Sequence, residues 1–361
     1  MSVHSEGVVS PSVAGRRAAE WVEVSPDFPQ PEEIRHAADL LRSGALVAFP
    51  TETVYGLGAQ ASNPDAVRDV FLAKGRPLTD PLILHVAQVE QVHELVSDFP
   101  EPAQQLAAAF WPGPLTLVLP RHRDVLDLVT ASQPTVALRI PSHPVAQALL
   151  AAAGFAVAAP SANRFGRISP TTAAHVRSEL PGGYDLLLDG GPTTLGVEST
   201  VVDLSGAVPR LLRPGGVTLE QLKSVLKELT FADRTVVVEA KNASAPGQFL
   251  RHYSPSTPLL LLEGDEGLGQ QLAHALQDHG VIARCVELPH DPVIAARELY
   301  QLLRSADASD AELLLVQSTT PQGIGRAVND RLFRAAQGRS LSEYSEDSVQ
   351  AALDVALHKD E

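Results

Sequence analysis

Short apolar runs alternate along the chain with segments whose apolar residues recur at helical spacing. Such spacing occupies the stretch between Pro31 and Gly44, two residues that mark the beginning and the end of a helix. The apolar run over 45–49 that follows predicts a buried strand. The same criteria predict further elements up to residue 228: helices near 63–74, 88–96, 102–110, 171–180 and 218–228, and strands near 82–86, 115–119, 135–140, 155–159, 184–189, 198–204 and 209–213.

This mixture of elements predicts a mixed α/β domain with a twisted sheet over residues 29–228. Residues 1–28 mix Ser, Gly, Val and Pro without periodicity, which predicts a flexible N-terminal extension. The pattern breaks over 229–257, where Asn, Ser, Pro, Gly and Thr follow one another closely, and this indicates a linker. Strands and helices then alternate regularly over 258–355, which predicts a small Rossmann-like parallel α/β domain.

The composition limits the classes of protein to which the chain can belong. Of 361 residues, 44% are hydrophobic and 20% are charged, which is ordinary for a globular protein. The longest near-apolar stretch, 149–159, is too short to span a bilayer, and the first residues have no apolar signal segment. The single cysteine, Cys285, gives no sign of an oxidising compartment, so the sequence predicts a cytoplasmic protein.

The net charge of −15 argues against a broad nucleic-acid surface, which needs a basic face. A small anion in a local basic pocket stays possible. Lys74 is the only lysine in the first 222 residues, and Arg76 follows it across a glycine at the predicted end of a helix. This pair suits a polyphosphate, because arginine supplies a bidentate fork and lysine a compact charge. The alternative is a pair of cations that cap the helix.

Two polar segments follow directly after predicted buried strands, where α/β folds place their ligands. Residues 50–58 (P-T-E-T-V-Y-G-L-G) offer hydroxyls and glycines, and residues 158–163 (A-A-P-S-A-N) offer small hydrogen-bonding groups, although either can be a structural turn. Arg139 and Arg213 lie in or beside apolar strands, where an unpaired charge is costly, so a ligand or a buried ion pair is expected to neutralise them. His85 in its apolar strand is either a ligand-binding or a satisfied core residue.

Several common motifs are absent from the sequence. It contains no G-x-x-x-x-G-K-[ST] phosphate loop, no G-x-G-x-x-G after a strand, no G-x-S-x-G, no H-E-x-x-H and no cysteine cluster. The second domain therefore lacks the dinucleotide-binding fingerprint. We expect no metal site built from protein ligands alone.

Six segments of the first domain resemble one family in their order and spacing. They read P-T-E-T-V-Y-G-L-G, K-G-R-P with P-L-I-L-H-V, T-V-A-L-R-I-P, A-P-S-A-N, E-S-T-V-V-D and L-R-P-G. Together they resemble the YrdC-type threonylcarbamoyl-AMP synthases. The two-domain layout, with R-H-Y-S-P over 251–255, resembles the long form of that family, and the resemblance covers about residues 30–338.

The resemblance implies a nucleotidyltransferase that joins L-threonine, bicarbonate or CO2, and ATP into L-threonylcarbamoyladenylate and pyrophosphate. Mg2+ is expected with the ATP. The product is expected to pass to the tRNA threonylcarbamoyltransferase machinery for N6-threonylcarbamoyladenosine modification. Stable binding of nucleic acid and contact with a membrane are not expected.

The resemblance also implies roles for individual residues. The expected contacts of L-threonine are Thr53, His85, Arg139, the backbone at Ala159, and Ser199. The expected contacts of ATP are Arg76, Asp80, Thr135, Ser161, Ser169 and Arg213. Lys74 and Asn163 are expected to support the phosphates, with Lys74 and Arg76 as the catalytic residues. Tyr253 is expected to close over the nucleotide, which makes the linker 229–257 an active-site lid.

The chain departs from the family pattern at two places. The linker reads A-P-G-Q-F-L-R-H-Y over 245–253, where the family often has S-P-G-M-K-Y-R-H-Y, and Asp80 stands where asparagine is frequent. Two other functions stay open: a module for double-stranded or ribosome-associated RNA, and a synthase of another carbamoyl-adenylate. The net charge opposes the first. The sequence shows none of the acylphosphatase-like or zinc-binding parts expected of a carbamoyl-phosphate-dependent maturase.

Overall fold

Two β-sheets organise the chain. A computed structural model of the protein describes residues 19–231, 250 and 252–357. Within these ranges, a large mixed sheet lies in the first domain and a smaller parallel sheet lies in the C-terminal domain. The predicted mixed α/β domain followed by a parallel α/β domain is therefore confirmed. None of the described helices is long and apolar enough to cross a membrane.

The first sheet places several strand ends at one edge. Its described strands are β1 (Glu20–Glu23), β2 (Val47–Pro50), β3 (Tyr55–Gln60), β4 (Ile83–His85), β5 (Leu115–Pro120), β6 (Thr135–Arg139), β7 (Val157–Ala158), β8 (Leu186–Asp189), β9 (Thr200–Asp203), β10 (Arg210–Arg213) and β11 (Thr230–Phe231). Their order is β1-β8-β2-β3-β7-β4-β6-β5-β9-β10-β11. Since β4 and β6 run parallel in the middle of the sheet, their carboxyl ends meet side by side.

Helices cover the sheet of the first domain. They are α1 (Pro31–Arg42), α2 (Pro64–Lys74), α3 (Val89–Val92), α4 (Glu101–Phe110), α5 (Asp127–Thr130), α6 (Pro144–Ala153), α7 (Ala173–Glu179) and α8 (Leu219–Val225). The Asn63 side chain caps α2 by accepting from two backbone N–H groups, of Asp65 and Ala66, at 3.1 and 3.2 Å. Gly75 ends α2 with a left-handed φ of +63°, which suits glycine. The chain therefore turns sharply between Lys74 and Arg76.

The C-terminal domain follows the predicted alternation of strands and helices. Its strands are β12 (Leu259–Leu262), β13 (Ala283–Val286), β14 (Leu313–Gln317) and β15 (Ser340–Leu341), and its helices are α9 (Leu268–Asp278), α10 (Pro292–Asp307), α11 (Gly325–Ala335) and α12 (Glu346–Leu357). The sheet order is β13-β14-β12-β15, and all the neighbouring strands are parallel. Leucine fills β12 and most of β14, because both faces of these strands are buried beneath helices.

The two domains share part of one hydrophobic core. Val54 and Val197 of the first domain belong to the same buried cluster as Leu299 of α10. Gly196 shows how closely the domains approach, since a Cβ atom at this position would lie 2.5 Å from the carbonyl oxygen of Ala296. The interface therefore depends on glycine at that position as well as on apolar contact.

Some sequence predictions are wrong in detail. Residues 20–23, predicted to belong to a flexible extension, form β1, an edge strand that hydrogen-bonds in parallel to β8 although its side chains are mostly exposed. Residues 55–60, predicted as a loop, form β3; Gly58 there reflects close packing, since a Cβ would lie 2.9 Å from the Phe49 ring. Helix α6 was not predicted, because its mostly apolar sequence gives no amphipathic signal. The helix predicted over 88–96 is shorter in the structure, which has only α3 there.

The predicted linker is described only in part. Residues 230–231 form β11, which pairs with β10 and so extends the first sheet. Residues 232–249 and 251 lie outside the described residues, so the lid prediction for them stays a prediction. Residues 252–254 are described and buried, and they lie between the two domains.

Candidate active site

A pocket opens beside the carboxyl ends of β4 and β6. His85 and Arg139, the last residues of these strands, pair in register at its edge. The segment after β2, the segment after β7 and the start of β9 complete the walls, as expected for a ligand site of an α/β sheet. The lining residues are Thr51, Thr53, Val54, Gly56, Arg76, Ile83, His85, Arg139, Ala159, Pro160, Ser161, Glu198, Ser199, Arg213, His252 and Tyr253.

The structure brings most of the predicted site residues together in this pocket. Those that line it are Thr53, Arg76, His85, Arg139, Ala159, Ser161, Ser199, Arg213 and Tyr253. Lys74, Asp80, Asn163 and Ser169 are buried but are not among the lining residues. Thr135 begins β6, four residues and about 13 Å along the strand from Arg139, so it lies away from the pocket.

Lys74 binds the backbone of the segment after β7. Its Nζ donates to the carbonyl oxygens of Ser161 and Asn163, both at 2.5 Å. Burial, and after it the nearby charge of Arg76, lower the pKa of Lys74 well below its usual value. Lys74 therefore does not cap its own helix, and its expected support of the ATP phosphates stays a prediction. It fixes a loop that lines the pocket.

Arg76 reaches the pocket from a buried ion pair. Its Nη2 lies 2.8 Å from Oδ2 of Asp80, and the same nitrogen donates to the carbonyl oxygen of Pro81 at 2.7 Å. Burial raises the pKa of Asp80 to about 6, and the charge of Arg76 opposes this rise. Asp80 thus holds the guanidinium group in place.

Arg139 is neutralised by a carboxylate of the P-T-E-T segment. Its Nη2 lies 2.7 Å from Oε1 of Glu52, and its Nη1 donates to the hydroxyl of Thr53 at 3.0 Å. The buried ion pair that the sequence left open as an alternative is therefore present. Arg139 also lines the pocket, so the ion pair and a ligand can share the guanidinium group.

His85 lines the pocket with a buried imidazole ring. It is buried, and its Nδ1 has no hydrogen-bond partner among the described residues. Burial, with the nearby charge of Arg139, lowers the pKa of His85 to about 3, so the imidazole is neutral near pH 7. His85 combines features of both predicted alternatives, because it lines the pocket and also interacts with the backbone of Ile83 and Val157.

Ser199 and Arg213 form another part of the pocket wall. Nη2 of Arg213 donates to the backbone oxygen of Ser199 at 2.9 Å and to its hydroxyl at 3.1 Å. The Ser199 hydroxyl also lies 2.7 Å from that of Thr116 on β5. Gly215 allows this packing, because a Cβ there would lie 2.4 Å from the backbone of Ser199.

Tyr253 closes the pocket from the linker side. Its side chain is fully buried, and its hydroxyl has no hydrogen-bond partner among the described residues. Burial, and after it the charge of Glu198, raise the pKa of Tyr253, so the phenol stays protonated. The described part of the linker therefore supplies a ring to the pocket, as the lid prediction requires.

Among the titratable residues that line the pocket, His252 and Glu198 were not predicted from the sequence. His252 is buried beside Tyr253, with the two rings 4.1 Å apart, and burial lowers its pKa well below the usual value. Both residues lie in segments that carried the family resemblance, R-H-Y-S-P and E-S-T-V-V-D. The family motifs therefore contained both residues, but the binding roles were assigned to their neighbours Tyr253 and Ser199.

Comparisons with known proteins agree with this geometry. A family model described as "Telomere recombination", which covers Sua5, YciO and YrdC proteins, matches residues 39–215. A second model, described as the C-terminal domain of threonylcarbamoyl-AMP synthase, matches residues 217–337. The chain is 41% identical to a threonylcarbamoyl-AMP synthase of Bacillus subtilis in an alignment of length 338 that covers 88% of this chain and 96% of the relative.

A solved structure resembles the chain over nearly its whole length. It is the Pyrococcus abyssi Sua5 protein complexed with L-threonine, 38% identical, with a TM-score of 0.84. The match covers 90% of this chain and 99% of that chain. A threonylcarbamoyl-AMP synthase of Schizosaccharomyces pombe is 36% identical over 84% of this chain and 88% of its own length. The family resemblance is thus confirmed over both domains, and the chain belongs to the threonylcarbamoyl-AMP synthase family.

Proposed function

We propose that this pocket joins L-threonine, bicarbonate or CO2, and ATP into L-threonylcarbamoyladenylate. The observation that carries the proposal is the gathering of Arg76, Arg139 and Arg213 in one pocket with the neutral imidazole of His85. Three cations gathered in a chain of net charge −15 suit an anionic substrate in that pocket. A neutral acceptor beside them suits an amino group.

L-Threonine occupies the part of the pocket near His85 and Arg139. Arg139 shares its guanidinium group between Glu52 and the threonine carboxylate, and the hydroxyl of Thr53 is held beside it. The neutral imidazole of His85 accepts a hydrogen bond from the amino acid. The backbone at Ala159 and the hydroxyl of Ser199 complete this part, as the family resemblance implies.

ATP occupies the part of the pocket near Arg76 and Arg213. Their guanidinium groups neutralise the phosphates, and Ser161 offers a hydroxyl on the adjoining loop. The remaining predicted ATP residues act through others: Asp80 holds Arg76, and Lys74 holds the loop of Ser161 and Asn163. The predicted contacts of Thr135 and Ser169 with ATP stay predictions.

The reaction proceeds in two parts. The uncharged amine of threonine attacks the carbon of CO2, a C–N bond forms, and a proton leaves to give a carbamate. A carbamate oxygen then attacks the α-phosphorus of ATP, a P–O bond forms, and the bond to the β-phosphate oxygen breaks as pyrophosphate leaves. The protein contributes positioning and fixed positive charge rather than a covalent step.

Mg2+ is expected to enter the pocket with the phosphates of ATP. In the part of the chain that the structure describes, no group of three or more His, Cys, Asp or Glu side chains could hold a metal ion. The residues present therefore do not fit a protein-built magnesium site, and we assign no step to the ion.

The product must be shielded from water and used by another enzyme. An acyl-adenylate of this kind is labile in water, and the buried ring of Tyr253 excludes water from the pocket. We propose that the product passes in the cytoplasm to the tRNA threonylcarbamoyltransferase machinery for N6-threonylcarbamoyladenosine modification. Tyr253→Ala is expected to weaken nucleotide retention without unfolding the protein, and an ATP affinity equal to that of the wild type would refute the lid role.

The test is pyrophosphate release from ATP and bicarbonate, with and without L-threonine. Release that depends on both threonine and bicarbonate, and that Arg213→Ala abolishes, supports the proposed reaction. ATP binding without threonine-dependent release indicates another amine and hence another carbamoyl-adenylate. Absence of ATP binding would favour the alternative that the first domain is an RNA-binding module.

A further inference from the structure

Glu198 lines the pocket, but the groups that bind its carboxylate come from the C-terminal domain. The hydroxyl of Tyr300 on α10 lies 3.0 and 2.9 Å from the two carboxylate oxygens, to which it donates. Nε of Arg331 on α11 donates to Oε2 at 2.7 Å. One wall of the pocket is therefore held from across the domain interface.

This contact belongs to a buried network of four charges. Nη1 of Arg331 also lies 2.7 Å from Oδ2 of Asp330, and Asp330 lies 3.1 Å from Nη2 of Arg334. The Arg331 side chain is fully buried, and that of Glu198 is 9% exposed. The charges of the two carboxylates and the two guanidinium groups cancel. Loss of one member would leave an unpaired charge away from water, which is costly.

The pocket cation Arg213 lies close to Glu198. Both residues line the pocket, and Nη2 of Arg213 donates to the carbonyl oxygen of Ser199, the residue after Glu198, at 2.9 Å. Burial acts to raise the pKa of Glu198, but the charges of Arg331 and Arg213, together with hydrogen bonds to the carboxylate, lower that pKa overall. Glu198 is thus an ionised carboxylate between a cation of the C-terminal domain and a cation of the pocket.

The same two residues of the C-terminal domain contact the ring of Tyr253. The guanidinium carbon of Arg331 lies 5.0 Å from the centre of this ring, and the ring of Tyr300 stacks on it at 6.0 Å. The backbone of Tyr253 has a φ of +61°, a conformation that is rare for a residue with a bulky side chain. Surrounding contacts must therefore stabilise it.

We propose that Arg331 and Tyr300 are positioning residues of the ATP site, supplied by the C-terminal domain. They neutralise Glu198, so that its carboxylate does not compete with the phosphates of ATP for Arg213, and they fix the ring of Tyr253. The inference rests on the proposed placement of ATP beside Arg213. It assigns the C-terminal domain a direct part in nucleotide binding.

The test compares Arg331→Met, Glu198→Gln and the double variant in threonine-dependent pyrophosphate release. Arg331→Met keeps most of the side-chain volume but leaves Glu198 uncompensated, so the KM for ATP is expected to rise about 30-fold. In the double variant no uncompensated carboxylate is left, and most of this rise is expected to disappear. A loss of folded protein alone would lower the active fraction and leave the KM for ATP unchanged.

Two further variants keep the test decisive if Arg331→Met folds poorly. Tyr300→Phe keeps the ring and removes the hydroxyl, and its KM for ATP is expected to rise about 10-fold. Arg326→Met is the matched control, because Arg326 lies on the same helix and pairs with Glu220 of α8, 3.9 Å away. It is expected to keep the wild-type KM.

The outcomes separate the inference from the function on which it rests. Wild-type KM values for ATP in both Arg331→Met and Tyr300→Phe, with threonine-dependent release intact, would overturn the inference alone. A rise in Arg331→Met that Glu198→Gln does not reduce would also overturn it, since neutralisation of Glu198 would then not be the cause. A wild-type protein without threonine-dependent release would overturn the proposed function, and the inference with it.

Discussion

The pocket of the first domain and the sheet of the C-terminal domain both use buried parallel strands, but they bury different side chains. β12 and the first four residues of β14 bury only leucine and valine. β4 and β6 are equally buried, yet they end in His85 and Arg139. Each domain thus has an apolar parallel core, and the two differ at the carboxyl ends of the strands.

The difference shows how a site can be distinguished from a core. A buried apolar strand is stabilised by the surface that it removes from water. A buried arginine must be paired, and a buried histidine nitrogen without a partner forgoes a hydrogen bond. Arg139 has its ion pair with Glu52, whereas Nδ1 of His85 has no hydrogen-bond partner in the described chain. These strand ends place a charge and a neutral imidazole beside the pocket, whereas β12 ends in leucine and contributes apolar burial alone.

The largest expected effect follows from removal of Lys74. Lys74→Ala frees the carbonyl oxygens of Ser161 and Asn163, so the loop that lines the pocket loses its anchor. We expect kcat/KM for pyrophosphate release to fall about 10²- to 10³-fold. Lys223→Ala, at an exposed position of α8, is the control. Activity close to that of the wild type in Lys74→Ala would contradict the anchoring role.

Arg139→Ala tests whether one residue serves both structure and binding. The change leaves Glu52 buried without its cation, and we expect the free energy of unfolding to fall by about 3–5 kcal/mol. The KM for threonine is expected to rise as well. Adding Glu52→Gln is expected to restore much of the stability but not the KM, as urea unfolding and threonine titrations can measure. An unchanged threonine dependence would remove Arg139 from the threonine site.

Leu313→Ala tests the core of the C-terminal domain. Leu313 is fully buried in β14, in a cluster separate from that of Tyr253, so the cavity is expected to lower the free energy of unfolding by about 2–5 kcal/mol. The folded fraction is expected to keep the wild-type KM values for ATP and threonine. Altered KM values in the folded protein would show that the core of the C-terminal domain, and not only its interface, controls the pocket.

The smallest expected effect is a change in pH dependence. Between its folded pKa of about 3 and the usual value near 6.5, His85 binds a proton only in the unfolded chain. Its contribution to stability is therefore complete above pH 6.5 and is lost as the pH falls. From pH 7 to pH 5, we expect His85→Gln to lose about 2 kcal/mol less unfolding free energy than the wild type. The exposed His274→Gln serves as control, and equal losses in all three proteins would contradict the neutral, buried state of His85.

Local sequence signals predicted most of the fold and much of the pocket. Asn63 and Gly75 bound α2 by capping chemistry, and the polar segments after buried strands indicated the correct edge of the sheet. Backbone pairing of an exposed edge strand such as β1 leaves no such signal. Helix α6 left none either, because it is apolar on every side.

The site was harder to predict where a role depends on distant partners. Lys74 had a plausible role as a phosphate ligand, but the carbonyl oxygens that it binds lie 87 and 89 residues further along the chain. No role was predicted for Glu198, because its partners Tyr300 and Arg331 lie 102 and 133 residues away in another domain. Residue type and local spacing carry no information about such pairings.

The separation between Glu198 and Arg331 has a consequence for biosynthesis. A chain is made from its N-terminus, so the whole first domain is synthesised before α11 exists. Until then Glu198 has no cation from the C-terminal domain, and the ring of Tyr253 has neither of its neighbours from that domain. The pocket wall that contains Glu198 and Tyr253 is therefore completed only after α11 has been synthesised.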